Sequence, residues 1–324
     1  MSEDSSRLDR VLLEAGLARS RTHARRIVEE GRARINGKAA TKPSTPVPAG
    51  ARLEVIDVPD GVEYASRAAH KLAGALDALG ITPSGAHCLD AGASTGGFTD
   101  VLLRRGAASV IAVDIGHDQL LTHLREDSRV QVRDGTSVRD LSPALIGTTV
   151  DLLVADLSFI SLRTVIAPLA SVVREGGDLL LMVKPQFEVG KAALPRSGVV
   201  SDVREHLRAV RGVWEAAQQN ALELRGAGPS SLPGQDGNRE FFLHLRRTVH
   251  SAPLEGSACD MIEAVVRHHR VVRVGGEDRT RHAAPVTRPA SRETTAPSAP
   301  TPAQHHQLPD EAQGSPHPAS QEGH

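Results

Sequence analysis

The sequence predicts an α/β protein: a doubly wound, mostly parallel sheet, with a small α+β unit ahead of it and a low-complexity tail behind. Three observations carry this. From Gly85 onward, short apolar runs alternate with helical patterns, as in a parallel sheet. Ahead of them, residues 7–58 form a separate pattern of two helices and a hairpin, rich in arginine. Beyond Arg247 the composition shifts to Pro, Ser, Thr, Ala, Gln and His, and nine of the twenty prolines lie after residue 250. The expected organisation is residues 1–59 as the first unit, 60–65 as linker, 66–247 as the sheet domain and 248–324 as a mostly disordered tail.

In the first unit, Leu8, Val11, Leu12 and Ala15 repeat at helical spacing and Gly16 ends the run. Ser20 caps a second helix, Arg21–Glu30, closed by Gly31, with Ala24, Ile27 and Val28 as its apolar stripe. Asn36-Gly37 follows an alternating run and marks a hairpin. Prolines 43, 46 and 48 and Gly50 make a loop, and Arg52–Val58 reads as a closing strand. Charge here is uneven. The chain has 38 Lys and Arg against 39 Asp and Glu, yet Arg7–Lys42 holds ten basic residues against four acidic ones. The pattern places Arg21, Arg25, Arg26, Arg32, Arg34 and Lys38 on adjoining surface, suited to nucleic-acid phosphates. No aromatic residue interleaves them, which points to shape recognition of structured RNA rather than base stacking. The run Ser20–Lys38 resembles the S4 RNA-binding domain.

In the sheet domain, a helix over Arg67–Leu79 is followed by candidate strands His87–Asp90, Ser109–Asp114, Val130–Arg133, Leu152–Asp156, Asp178–Lys184, Leu222–Ala227 and Glu240–Leu245. The first strand ends in an acid, turns over small residues (Asp90-Ala91-Gly92-Ala93-Ser94-Thr95-Gly96-Gly97) and opens into a helix, Phe98–Arg105. That order sets free N–H groups and a helix N-terminus beside a pocket at the end of a strand. The second strand ends in Asp114, the usual place of an acid that holds a ribose diol. The dinucleotide fingerprint is absent, because Ser94 stands where its middle glycine belongs. The form Asp90-x-Gly92-x-x-x-Gly96 instead resembles the first motif of class I (Rossmann-like) methyltransferases, which bind S-adenosyl-L-methionine. The cofactor set implied is Asp90, Gly92, Ser94, Gly96, Gly97 and Asp114, with Asp134 near an adenine amino group.

Arginine is the default cation of this chain; only Lys38, Lys42, Lys71, Lys184 and Lys191 are lysine. A lysine can give up its proton where an arginine in practice cannot. Lys71 lies on the helix before the first strand, Asp156 ends the fourth strand, Lys184 ends the fifth and Glu240 opens the last. The carboxyl ends of central strands line the crevice of a doubly wound sheet, so Asp156 and Lys184 open onto the same mouth as Gly92. They resemble the K-D-K-E tetrad of FtsJ-like ribose 2′-O-methyltransferases. With the S4-like unit in front, the chain is similar to the TlyA family, also called haemolysin A, over residues 7–247. The motifs SRAAHKL, DAGASTGGFT, ADLSFISL, VKPQFE and GNREFF occur in the family's order. The resemblance implies transfer of a methyl group from S-adenosyl-L-methionine to cytidine 2′-hydroxyls in 16S or 23S rRNA.

A ribose 2′-hydroxyl is a weak nucleophile, and transfer needs it aligned and its proton removed. Lys184, partly desolvated and near a second cation, is the expected base. Asp156 would orient its amine; Lys71 and Glu240 would position the ribose and balance charge. The expected partners are ribosomal RNA or ribosomal subunits, bound by a monomer, with no metal and no membrane. Two cysteines build neither a disulfide framework nor a zinc cluster. No apolar run approaches the ~18 residues of a membrane span, so the expected location is the cytoplasm. A cytolysin and a non-catalytic ribosome-assembly factor are the competing functions; the intact tetrad argues against the second. Met261–His269 carries one further helical pattern, and the tail histidines lack ligand spacing.

Overall fold

The computed structural model describes residues 6–29, 31–56, 63–234, 236–249 and 258–274, and the backbone of 255–257 and 292–295. In the N-terminal unit β1 (Ser6–Arg7), α1 (Leu8–Glu14) and α2 (Arg21–Glu29) precede β2 (Ala33–Ile35), β3 (Lys38–Ala39), β4 (Pro46–Val47) and β5 (Arg52–Val55). Ser20 Oγ accepts the His23 N–H at 3.0 Å and so caps α2. Asn36 and Gly37 have φ of 50° and 77°, the left-handed pair that a two-residue hairpin between β2 and β3 requires. Leu8, Leu12, Ala24, Ile27, Val28 and Leu53 close a small core of their own.

The larger domain contains α3 (Ala68–Leu79), β6 (His87–Ala91), α4 (Gly97–Arg104), β7 (Ser109–Val113), α5 (Thr122–Arg125), β8 (Val130–Arg133), α6 (Pro143–Ile146) and β9 (Val150–Ala155). It continues with α7 (Ile166–Ser171), β10 (Val173–Val183), α8 (Pro185–Glu188), α9 (Val203–Gln218), β11 (Leu222–Pro229), β12 (Phe241–Arg247), α10 (Glu255–His268) and β13 (Val272–Arg273). These strands form one sheet in the order β13-β11-β12-β10-β9-β6-β7-β8. β6 to β10 run parallel, and β11 and β12 form an antiparallel pair. β6 is flanked by β7 on one side and β9 on the other. The winding therefore reverses there, which opens a crevice at the carboxyl ends of β6 and β9.

Alternation along each strand serves two cores. Leu179, Leu181 and Val183 of β10 join the cluster that holds α7, α9 and α10, whereas Leu180 and Met182 join the one that holds α3 and α4. A strand buried on both faces must be apolar throughout, which is why these runs stand out in the sequence.

Three boundaries differ from expectation. Tyr64 and Ala65, expected in the linker, are buried in the α3–α4 core. Residues 255–274, expected in the tail, are α10 and β13. Ala258, Met261, Ile262, Val265 and Val266 bury one stripe of α10 against the same core as α9, so the sheet domain extends beyond Arg247. Within the expected disordered stretch, β14 (Arg292–Thr295) pairs antiparallel with β5. The remaining tail, with its histidines, lies outside the described residues.

Candidate active site

The glycine turn is held from both sides. Asp90, fully buried at the end of β6, accepts the Thr99 hydroxyl at 2.7 Å through Oδ2, while its Oδ1 has no partner. Burial pushes this carboxyl up to about 7, against the Thr99 hydrogen bond, and the charges of Asp156 and Asp114 add to the rise. Asp114 ends the next strand and ties down the turn: Oδ2 accepts the Ser94 N–H at 2.8 Å and Oδ1 the Gly116 N–H at 2.7 Å. Ser94 sits at φ 45°, so the serine takes the left-handed conformation a glycine would have supplied. Gly92, at φ 85°, has no room for a side chain: a Cβ would stand 2.8 Å from the backbone oxygen of Asp156. Gly96 forms the N-cap of α4 at φ 96°, and Gly97 packs on Ser66. A cationic nucleoside sulfonium fits this set. It offers an orphaned buried carboxyl oxygen, a second acid at the strand tip, a side-chain-free approach and a helix N-terminus. Asp134 is engaged within the chain, its Oδ2 accepting Arg125 at 2.6 Å and the Asp118 N–H at 3.1 Å. It braces the segment after Asp114 rather than presenting a free carboxylate.

Register brings three of the four tetrad residues to one end of the sheet. Ala155 of β9 lies beside Leu181 of the parallel β10, and Val183 lies beside Phe241 of the antiparallel β12. Asp156 and Lys184 therefore leave neighbouring strands at the same end, and Glu240 enters β12 there. The Asp156 N–H bonds the Ala91 carbonyl at 3.1 Å, which joins this group to the glycine turn. The side chains form two pairs. Lys71 Nζ donates to Glu240 Oε2 at 2.5 Å, with the residues 8% and 4% exposed. Lys184 Nζ lies 2.6 Å from Asp156 Oδ1 and donates to Ser158 Oγ at 3.0 Å. The carboxylate partner expected for Lys184 is Asp156, and the Lys71 ammonium is paired with Glu240. A lone buried ammonium is costly, so each lysine is buried with its own counter-charge.

Sequence reasoning gave no role to the residues between Asp156 and Leu162. Ser158 is the second partner of Lys184. Phe159 is 92% exposed at φ 62°, its ring 5.3 Å from that of Phe187. Hydropathy reads Leu157–Leu162 as core; only an unexpected serine pair hints that the run turns outward.

On the N-terminal unit the six predicted phosphate contacts separate into two groups. Arg25 and Lys38 are exposed, Arg21 is exposed and bonded to the buried Asp9 at 3.2 Å, and Arg34 reaches the Gly37 carbonyl at 3.1 Å. Arg26 and Arg32 instead turn towards Glu63, at 3.7 and 4.0 Å, where His23 also binds at 2.6 Å and Arg19 makes a further ion pair. Among the described residues, no cluster of three or more His, Cys, Asp or Glu is arranged to hold a metal ion, and no helix is long and apolar enough to cross a membrane.

Known proteins share both parts. The model of FtsJ-like methyltransferases matches residues 64–247, and that of the S4 domain matches residues 6–53. The 16S/23S rRNA (cytidine-2′-O)-methyltransferase TlyA of Mycobacterium tuberculosis is 47% identical over 247 residues, 76% of this chain and 92% of the relative. Hemolysin A of Brachyspira hyodysenteriae is 32% identical over 247 residues, 74% of this chain and 99% of the relative. A solved structure from Streptococcus thermophilus with a provisional hemolysin name is 31% identical, with a TM-score of 0.64, over 82% of this chain and 97% of that one.

Proposed function

The chain belongs to the FtsJ-like methyltransferase family, in the S4-headed group that includes TlyA, and we infer that it is an S-adenosyl-L-methionine-dependent rRNA (cytidine-2′-O)-methyltransferase. The observation that supports the chemistry is the Lys184–Asp156 pair beside the glycine turn, where Gly92 abuts the backbone of Asp156, with a second buried pair, Lys71–Glu240, at the start of β12. Bound at Asp90, Gly92, Ser94, Gly96, Gly97 and Asp114, the cofactor supplies an electrophilic methyl group on a sulfonium.

The chain's own residues prepare the acceptor. Lys184 Nζ, as the neutral amine left once its extra proton has passed to solvent, takes the proton of the ribose 2′-hydroxyl, and Asp156 and Ser158 fix the direction of that amine. Lys71 and Glu240 form a second, charge-balanced pair that positions the ribose. The exposed ring of Phe159 gives an unstacked base a face beside Lys184. The S4 unit contributes phosphate contacts through Arg21, Arg25, Arg34 and Lys38, so the substrate is folded rRNA or a ribosomal subunit, met in the cytoplasm. A non-catalytic assembly factor would have no use for two buried ion pairs at a donor site, because such pairs add little net stability.

The test is methyl transfer from labelled S-adenosyl-L-methionine to unmodified ribosomal subunits, with nuclease mapping of the product. The expected product is 2′-O-methylcytidine in 16S or 23S rRNA. No transfer, together with no donor binding by calorimetry, would overturn the assignment.

A further inference from the structure

Glu188 is 7% exposed and belongs to neither lysine pair. It ends α8, the single turn that follows Lys184, and both its oxygens reach across to the loop after β9. Oε2 accepts the Ser161 hydroxyl at 2.6 Å, and Oε1 accepts the Leu162 N–H at 2.7 Å. Among the described residues it has no ion-pair partner. Burial pushes its carboxyl above the usual range, opposed by these two hydrogen bonds and then by the charge of Arg163. A buried carboxylate without a counter-ion is costly to keep. What it secures is the loop from Asp156 to Leu162.

That loop is under conformational demand. Phe159 adopts φ 62°, a region costly for a bulky residue unless its surroundings enforce it. The loop is tied to the segment after β10 at two points. At one, Lys184 meets Asp156 and Ser158; at the other, Glu188 meets Ser161 and Leu162. With only the first tie, the lysine would have to hold the loop that is supposed to hold the lysine.

We propose that Glu188 is a positioning residue for methyl transfer, fixing the loop after β9 so that Asp156 and Ser158 present the Lys184 amine in one orientation. It touches neither the donor set nor the tetrad, and acts through Ser161 and Leu162. The proposal rests on the reading of Lys184 as the base. It predicts a fault in the chemical step with binding intact, because a displacement of about 1 Å at a reacting group costs about a hundredfold in rate.

The experiment compares wild type, Glu188→Ala, Glu188→Gln and Ser161→Ala on ribosomal subunits. Expected for Glu188→Ala is a kcat lower by about thirtyfold, with the KM for RNA and the Kd for S-adenosyl-L-methionine changed by less than about twofold. Glutamine keeps one oxygen for the Leu162 N–H and an amide for the Ser161 hydroxyl, so Glu188→Gln should recover to within about threefold of wild type. Wild-type turnover by Glu188→Ala overturns the proposal. So does a fall of kcat, donor affinity and Tm together with a rise of KM that glutamine does not rescue, since that marks a purely structural role. If Glu188→Ala does not fold, Ser161→Ala decides. A several-fold loss confined to kcat supports the proposal, and an unchanged kcat overturns it. A wild-type protein inactive on every rRNA would instead refute the methyltransferase reading.

Discussion

At the top of the sheet, Lys71 and Lys184 are each buried against a single carboxylate; on the N-terminal unit, Arg25 and Lys38 stand in solvent. The two regions use positive charge in opposite ways. A buried ammonium has lost its hydration and depends on one partner, so altering either member leaves an uncompensated charge. An exposed guanidinium is hydrated and screened, and it contributes as one of several. Substitutions at the sheet should therefore be large and specific, and those on the N-terminal face small, cumulative and sensitive to salt.

The sharpest break in this contrast is Lys184→Arg. It keeps the positive charge beside Asp156 but removes a group able to accept a proton, so kcat should fall by about a thousandfold while RNA affinity is retained. Near-normal turnover in a methylation assay would end the base assignment and reduce Lys184 to a charge. Glu240→Ala tests the other pair through stability. It leaves Lys71 buried without its carboxylate and should cost about 3 kcal/mol by denaturant titration. A loss below about 0.5 kcal/mol would place that pair among ordinary surface pairs.

A third test uses pH. The Asp90 carboxyl rises from its ordinary value of 3.8 to about 7 through burial, with the Asp156 and Asp114 charges reinforcing and Thr99 opposing. Between those values the folded chain holds a proton that the unfolded chain has released. Its contribution to stability is full below the lower value and is lost as pH rises through the higher one. A cationic donor favours the ionised carboxylate, so its binding should release a proton. Donor affinity should then rise by up to about tenfold per pH unit below about 7 and flatten above it. Calorimetry in buffers of different ionisation enthalpy counts that proton. Asp90→Asn should bind independently of pH over the same range, and a pH-dependent response unchanged in this variant would assign the proton elsewhere.

The tetrad was legible because each member adjoins a feature that the sequence cannot hide. Asp156 and Lys184 end strands buried on both faces, Glu240 opens a third, and Lys71 stands in a chain that otherwise uses arginine. Glu188 and Phe159 were not legible. An acid after Pro-Gln-Phe reads as surface and a phenylalanine between Ser158 and Ile160 reads as core, and tertiary contacts reverse both. The place of α10 was hidden by composition. The helical pattern over Met261–His269 was legible, but its stripe, Ala258, Met261, Ile262, Val265 and Val266, has meaning only through the α9 face it covers. The pairing of Arg26 and Arg32 with Glu63 was equally out of reach, because helical periodicity places residues on a face without saying what approaches it.

That last difference supplies the finest test of the contrast, within the basic face itself. Arg25 has no ion-pair partner among the described residues, whereas Arg32 donates through Nε to the Ile56 carbonyl at 2.8 Å and faces Glu63. If Arg25 meets an RNA phosphate, Arg25→Ala should weaken binding by about threefold to fivefold at moderate salt and lower the slope of log K against log salt by about 1, uniformly across RNA sequences. Arg32→Ala should leave that slope unchanged, because its guanidinium is directed at the junction between the two domains, and should instead lower Tm. Filter-binding titrations of both variants at several salt concentrations separate the two behaviours. Equal slopes for both would mean that Glu63 releases Arg32 when RNA arrives. The N-terminal unit would then share the tetrad's dependence on a single carboxylate, and the contrast between the two regions would be one of burial alone.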